Sequence, residues 1–565
     1  MNQESRAPIA ADIFIRTLAE HNVEFFFVNP GTDFPPIVEA LTRARRRNTK
    51  HPRPVLVPHE NLAVAMAHGV YLVTGRAQAA MVHVNVGTGN TINNIANLAR
   101  DRGPIILAAG RTPTTERGHF GSRARPIHWA QEMFDQAGML REFVKWDYEL
   151  RVPDQIADVT ARAYEVAMTS PRGPVYVVLP REPLSAPVPD SLSAAPRRLP
   201  DAPHPNPASI TTLAAWIAAA KWPLIVTSGD GSANAVAALS RLAEQFAIPV
   251  VSQNARILTL PASHPMHLGY EIGPLLGNAD LIIVAECDVP WFPSLDRLAE
   301  GCRVAHIGED PAFQRYPMRS FQSDLSIVSR TATTYEALAA ALEPARSTMS
   351  VAIGIRRKYA AELGTARRAK REKEVRTGTG PITKAYLSHC IGDALGQDAI
   401  IFNEYPLSLE HCSRETAGTY YALGPAGGLG WGLGAAIGAK LASPEKLVVA
   451  TLGDGAYLFS NPTVCHWVQQ KHEAPVLTII FNNARYGAVR RATLSMFQHG
   501  AAGEDDGRFL ADLDPSPPFD AIARAHGGWA VRVDKPEDLH GALCRARDAV
   551  MVERRQALLN VICPY

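Results

Sequence analysis

Three times along the chain, apolar runs of strand length alternate with stretches of helical period, and this rhythm limits the fold more than any other feature. In the first block the runs VEFFFVN, PVLVP, AAMVHVNV, PIILAAG and PVYVVLP are separated by stretches such as PGTDFPPIVEAL, HENLAVAMAHGVYLV and GTGNTINNIANLAR. Continuous apolarity without period-two alternation is what a strand buried on both faces requires, and the intervening helices supply the cover. The pattern therefore predicts a mostly parallel sheet with helices on both sides. A second block carries PLIVTSGDGSANAVAALSRLAEQF, IPVVSQN, ADLIIVAECD and RVAHIGED, and a third carries AIIFNEY, GLGWGLGAAIGAKLA, LVVATLGDG, VLTIIFNN and LLNVICPY. The Pro/Ala-rich stretch from Arg181 to Ser209 reads as a linker that holds no regular element, and RRKYAAELGTARRAKREKEVR reads as a charged helix before the third block. At 565 residues the chain exceeds one core. The expected fold is α/β, with three doubly wound parallel-sheet domains in series over 1–185, 205–345 and 375–565, and no short-period repeat.

Charge and cysteine usage remove several function classes. With 57 basic and 55 acidic residues the formal charge is +2, so no polyanionic partner is indicated and nucleic acid is not expected as a ligand. Two basic clusters, Arg43 to Arg47 and Arg367 to Arg376, read as solvated helix faces. Seven scattered cysteines without a C-x-x-C pair argue against a disulfide scaffold or a zinc site and fit a reducing, cytoplasmic setting. The first residues show neither the basic region nor the apolar core of a signal peptide, and no apolar run reaches membrane-spanning length, so no membrane association is expected.

The chemistry concentrates in LGDGAYLFSNPTVCHWVQQKHEAPVLTIIFNN. Gly453-Asp454-Gly455 follows the buried strand LVVATL, at the carboxyl end where open α/β sheets place their ligands. Glycines let backbone N–H groups approach a phosphate, whereas an Asp there repels it unless a cation lies between, and magnesium is the hard cation that bridges carboxylate and diphosphate. The twenty-six residues from Ala456 to Phe481 suffice for a helix and a return strand that brings Asn482 and Asn483 beside Asp454. A lone G-D-G is more often a strand-to-helix turn with a capping Asp. Gly229-Asp230-Gly231, with no double asparagine at that spacing, is expected to be such a turn.

The order G-D-G, twenty-six residues, N-N resembles the diphosphate-binding motif of thiamine-diphosphate enzymes. The resemblance implies pyrimidine-binding, central and diphosphate-binding domains, and a metal held by Asp454, the Asn483 side chain and a main-chain oxygen at Arg485. Gly453, Gly455 and Ala456 would lie on the diphosphate, Ala456 standing where many members carry a serine. It also implies a carboxylic acid that activates the cofactor's aminopyrimidine, and Glu60 in PVLVPHENLAVAMAHG is the candidate; alone it would read as a helix-dipole glutamate. In this superfamily that glutamate and the diphosphate site come from different subunits, so a homodimer is the minimum and a homotetramer, as a dimer of dimers, is expected.

Within the family the motifs are most similar to the benzoylformate decarboxylase and acetolactate synthase branch. VNPGTDFP resembles a turn that places Thr32 toward substrate, and MVHVNVGTGN resembles a segment with an active-site histidine, here His83, with Asn90 nearby. AGGLGWGLGAAIGAK resembles the segment that bends the cofactor, making Leu429 the wedge and the Gly427 carbonyl an acceptor; its other glycines read as helix packing. Asn403, Glu404 and Tyr486 fall near the diphosphate by the same likeness. Ala488 and Val489 would bound the substrate, with Trp291 and Phe292 on the opposite wall. The decarboxylase has a second histidine where this chain reads DVPWFPSLD, a departure that counts against simple aldehyde release and makes carboligation more attractive.

The resemblance implies thiamine diphosphate- and Mg2+-dependent decarboxylation of a 2-oxo acid, with release of an aldehyde or carboligation to an acceptor aldehyde or ketone. An FAD-linked, pyruvate oxidase-like enzyme or another C–C lyase is the alternative, although nothing in the sequence supports FAD. A non-catalytic nucleotide-binding regulatory protein is the alternative of another class; Glu60, Asp454 and Asn483 together argue against it.

Overall fold

The computed structural model describes residues 7–195, 197–376 and 380–564. Three parallel sheets follow one another along the chain. The first contains β1 (Phe25–Val28), β2 (Arg53–Leu56), β3 (Gln78–Val82), β4 (Ile105–Arg111), β5 (Asp147–Glu149) and β6 (Val175–Pro180), in the spatial order β2-β1-β3-β4-β6-β5. The central sheet contains β7 (Pro223–Thr227), β8 (Val250–Val251), β9 (Leu281–Ala285), β10 (Arg303–Gly308) and β11 (Leu325–Val328), ordered β11-β10-β9-β7-β8. The third contains β12 (Ile400–Glu404), β13 (Tyr420–Ala422), β14 (Val448–Gly453), β15 (Leu477–Asn482), β16 (Trp529–Val533) and β17 (Ala557–Ile562), ordered β13-β12-β14-β15-β17-β16. The first and third sheets thus share one strand order, which reverses direction between β1 and β3 and between β12 and β14. Such reversals open a crevice at the carboxyl ends of the two strands.

The outer domains also share a core. Helix Glu60–Thr74 is apolar nearly all round because it lies between its own sheet and helix Gly432–Ala442 of the third domain. Its first turn begins with a glutamate, where free N–H groups favour a carboxylate, and it ends at Gly75, whose φ of +70° suits glycine. The two helices touch backbone to backbone. A Cβ on Gly69 would lie 1.9 Å from the Ala435 carbonyl oxygen, and one on Gly438 would lie 2.0 Å from that of Met66. Beside them the fully buried Trp431 donates its indole N–H to His68 Nδ1 at 3.0 Å.

Several local expectations need correction. The stretch from Arg181 to Ser209 does hold regular structure: Arg181–Ser185 is a short helix, and Pro207, behind an Asn206 cap, opens helix Pro207–Ala219. The Arg367 to Arg376 cluster is not wholly a solvated face. Arg367, on helix Ser350–Glu374, pairs with Glu410 at 2.8 Å, and Arg371 donates to Ser413 Oγ at 3.2 Å, so this helix fastens the central domain to the third. Arg43 is likewise half-buried, paired with Asp12 and Glu39. The Gly229-Asp230-Gly231 turn joins β7 to helix Ala233–Phe246, but Ser232 is the cap, while Asp230 accepts from Thr331 Oγ1 at 2.7 Å. No helix among the described residues is long and apolar enough to cross a membrane. The seven cysteines are free thiols, six of them buried.

Candidate active site

Asp454 stands at the end of β14, nearly buried, as the first residue of helix Asp454–Phe459. Its Oδ1 accepts the Gly455 N–H at 2.8 Å, and its Oδ2 accepts those of Asn483 and Arg485, each at 3.2 Å. Burial pushes the Asp454 carboxyl up, and these N–H groups pull it back toward the ionised form. The two asparagines divide the work. Asn482 turns inward, donating to Ser516 Oγ and Asn560 Oδ1 at 2.9 Å, while Asn483 stays beside Asp454 with its Oδ1 accepting the Arg485 N–H at 3.1 Å. A Cβ on Gly455 would strike the Tyr486 ring at 2.6 Å, whereas one on Gly453 would meet nothing within 4 Å. A carboxylate, an amide oxygen and main-chain oxygens beside a glycine-lined helix start are the hard donors and close N–H groups that Mg2+ and a diphosphate require. Ala456 is buried on the first turn and offers only backbone.

Across the crevice, Glu404 ends β12 and is fully buried. It accepts the N–H groups of Gly430 at 2.7 Å and Gly432 at 2.5 Å; burial raises its carboxyl to about 7, against the pull of these bonds. Glu404 thereby holds the loop in which Gly427 and Gly430 take φ of +69° and +84°. From the first domain, Asn93 donates to the Leu429 carbonyl and Asn97 to that of Gly428, both at 2.8 Å, and Leu429 packs half-buried on the shared core. Asn403 instead braces the loop after β12, bonding Leu407, the Tyr420 hydroxyl and Thr451. Both Asn403 and Glu404 act from beneath the loop.

The first domain repeats the arrangement at the ends of β1 and β3. Glu60 accepts from Asn29 Nδ2 at 2.9 Å and from Asn90 Nδ2 at 3.0 Å, and among the described residues no basic side chain forms a salt bridge with it. His83 follows β3, with Nδ1 2.5 Å from Asp33 Oδ1 and Nε2 3.4 Å from the Gln131 amide nitrogen. The hydrogen bond to Asp33 raises the His83 pKa, burial opposes it, and the charges of Asp33 and Glu60 add to the rise. Thr32 and His83 line one small cavity with Arg111, His128, Gln131 and Arg181. Asn29, Asp33, Gln131 and His128 were not singled out from the sequence. Asn29 and Asp33 lie within the very turn NPGTD that drew attention to Thr32, but nothing in that turn names their partners.

Other expected residues sit apart from this cavity. Trp291 is buried and packs edge-on against Phe321, ring centroids 5.2 Å apart, which makes it a residue of the central core rather than of a substrate wall. Phe292 is exposed. Ala488 and Val489 lie exposed on helix Gly487–Phe497, which buries none of its residues within the chain. Among the described residues, no hydrogen bond joins Glu60 or His83 to the Asp454 cluster.

Comparison with known proteins bears on all three domains. The family models for thiamine pyrophosphate enzymes match in order: the N-terminal TPP binding domain over residues 9–139, the central domain over 210–338 and the C-terminal TPP binding domain over 406–561. Benzoylformate decarboxylase of Pseudomonas aeruginosa is 28% identical over 546 residues, covering 94% of each chain. The acetolactate synthase large subunit of Lactococcus lactis is 24% identical, over 94% of this chain and 89% of its own. Among solved structures, the thiamine diphosphate-dependent 4-hydroxybenzoylformate decarboxylase of Rhodococcus jostii superposes with a TM-score of 0.78 over 99% of both chains at 23% identity. Benzoylformate decarboxylase from Polynucleobacter necessarius gives 0.78 over 98% of both chains at 19% identity. At such identities the superpositions speak to the fold alone. With three domain models matched in sequence and a three-sheet fold to carry them, the chain belongs to the thiamine pyrophosphate enzymes.

Proposed function

We propose that the protein is a thiamine diphosphate- and Mg2+-dependent enzyme that decarboxylates a 2-oxo acid and either releases an aldehyde or joins the remaining acyl carbon to a second carbonyl compound. The observation that carries this reading is Glu60, a nearly buried carboxyl held by the two neutral amides of Asn29 and Asn90, within one domain of the Thr32–His83 cavity. Held by two amide donors, the Glu60 carboxyl is presented to a ring nitrogen placed against it. Thiamine diphosphate, when bound, supplies the electron sink for loss of carbon dioxide. The other roles fall to side chains of the protein. Asp454 and Asn483, with a main-chain oxygen at Arg485, would hold Mg2+; the backbone from Gly453 to Ala456 and Tyr486 would hold the diphosphate; Leu429 and the Gly427 carbonyl would orient the ring system. His83 would move protons in the cavity beside the Thr32 hydroxyl, and Ala488 and Val489, exposed on helix Gly487–Phe497, would reach the substrate's side chain only across a contact between two copies. By the likeness to thiamine diphosphate enzymes, in which this glutamate and the diphosphate site come from different subunits, two copies in a homodimer would complete each site, and two dimers would form a homotetramer. The free thiols fit an enzyme of the cytoplasm.

Product analysis tests the reading. The purified protein, with thiamine diphosphate and Mg2+, is offered pyruvate and benzoylformate separately and together while carbon dioxide is recorded. Free aldehyde identifies a decarboxylase, and acetolactate or a mixed acyloin a carboligase. No carbon dioxide from any combination overturns decarboxylation of these 2-oxo acids.

A further inference from the structure

We propose that Asp33 is a positioning residue for His83, holding the imidazole in the tautomer that carries its proton on Nδ1 and leaving Nε2 as the atom that exchanges protons in the cavity. The turnover part of this proposal rests on the functional reading above; the tautomer part does not.

The pair is built into the backbone. Asp33 is nearly buried, with Oδ1 2.5 Å from His83 Nδ1 and Oδ2 accepting the Val84 N–H at 3.3 Å. That N–H is aimed by a turn in which Val84 takes a φ of +34°, a region a β-branched residue enters only under strain. Two glycines clear the space: a Cβ on Gly31 would lie 2.1 Å from His83 Nδ1, and one on Gly110 would lie 1.9 Å from Asp33 Oδ2. On the other side of the ring the Gln131 amide nitrogen faces Nε2 at 3.4 Å. With its nitrogen turned so, the Gln131 amide can donate to Nε2 when the ring carries its proton on Nδ1, the tautomer that the contact with Asp33 favours.

Other charges around His83 do not substitute for Asp33. Glu60 acts at longer range. On the cavity wall, Arg111 is engaged by Glu132 and Glu149, Arg181 donates to the carbonyls of Thr32, Gly121 and Ser122, and burial followed by the charges of Arg181, Arg125 and Arg123 holds His128 toward its neutral form. Among the described residues Asp33 is the one carboxylate in hydrogen-bond contact with the ring, so a carboxylate-to-amide change is a selective perturbation.

The experiment is a 15N NMR titration of histidine-labelled protein without cofactor, with the His83 signals assigned by their loss in His83→Gln. In the wild type, Nδ1 is expected to carry the proton at pH 8 and the ring to titrate above the ordinary histidine value. In Asp33→Asn, the titration is expected to fall by about one pH unit or more, and the two nitrogens to share the proton. With cofactor present, kcat should fall about 10- to 100-fold with the limb of its pH profile displaced, while KM changes little. Gly31→Ala, which pushes the ring off an intact Asp33, should give the same NMR change, and circular dichroism melts report whether each variant folds. Unchanged nitrogen shifts and titration in folded Asp33→Asn or Gly31→Ala overturn the proposal, as does lost turnover with an unmoved pH profile. A wild type that decarboxylates nothing counts against the functional reading alone, since the NMR comparison still decides the pairing.

Discussion

The contact between helices Glu60–Thr74 and Gly432–Ala442 yields a prediction whose sign is opposite to the usual one. In an exposed helix, Gly→Ala stabilises by about 1 kcal/mol through helix propensity and a less flexible unfolded chain. Gly438 is different, because its new Cβ would sit 2.0 Å from the Met66 carbonyl oxygen, where an ordinary carbon–oxygen contact is about 3.3 Å. The helices would have to part by about 1.3 Å, and overpacking of this kind costs about 1–3 kcal/mol or more. Parting them also stretches the Trp431–His68 hydrogen bond, of order 1 kcal/mol. The propensity gain does not offset these terms, and Gly438→Ala should lose about 2 kcal/mol net. One of the two helices begins at Glu60 and the other follows the Leu429 loop, so the same displacement reaches both sides of cofactor binding. A shift near 1 Å is expected to cost up to about 100-fold in turnover. Gly354→Ala is the control: it lies exposed in helix Ser350–Glu374 with nothing within 4 Å of its Cβ, and should be neutral or stabilising. Urea midpoints of both variants against wild type decide the matter. A Gly438→Ala protein as stable as Gly354→Ala refutes the claim that this interface is closed to a methyl group.

Glu60→Gln should keep the cofactor bound, by equilibrium dialysis, yet cut turnover by orders of magnitude; normal turnover would show that another group activates the cofactor. Asp454→Ala should abolish the Mg2+ dependence of thiamine diphosphate retention, and an affinity equal to wild type in the presence and absence of Mg2+ would remove the metal from this loop. Acid should weaken the fold. Burial holds His68 and His267 at about 3 and His306 and His466 at about 4, so the unfolded chain takes up protons below about 6.5 that the native protein refuses. Stability from each is complete above about 6.5 and lost as pH falls toward 4, at up to about 1.4 kcal/mol per unit. Asp101, raised to about 6, Glu404, raised to about 7, and Glu286, Asp454 and His83, also raised, work in the opposite sense, but burial lowers His128, His264 and His472 as well, so seven lowered histidines stand against five raised groups. The urea midpoint should therefore be lower at pH 5 than at pH 7.5, and an equal or higher one contradicts the burial argument.

What the sequence made legible follows from how far apart the informative residues lie. Strand-and-helix rhythm is local, so the three sheets could be read from apolar runs, and the G-D-G to N-N spacing is confined to one β-α-β unit. The linker reading failed because Pro and Ala suggest coil on average, whereas Asn206 followed by Pro207 is a good helix start. Arg367 resembled a solvated face because its partner Glu410 lies 43 residues further on. Asp33 was invisible for the same reason: it follows β1 and His83 follows β3, 50 residues apart, and only the order β2-β1-β3 makes the two strand ends neighbours. The third sheet uses that order again, bringing Glu404 at the end of β12 opposite Leu452, two residues before Asp454, although no repeat can be seen in the amino acids. The strand order is therefore the element that turns separate motifs into sites. It does so twice, with the proposed acid–base groups at one reversal and the proposed metal and diphosphate groups at the other. Helices Glu60–Thr74 and Gly432–Ala442, which carry the chain from the edge strands β2 and β13 across the reversals to β3 and β14, are the pair whose glycines admit no side chain between them. Close helix contact and correct placement of both half-sites are thus one requirement, which is why a single methyl group at Gly438 tests them together.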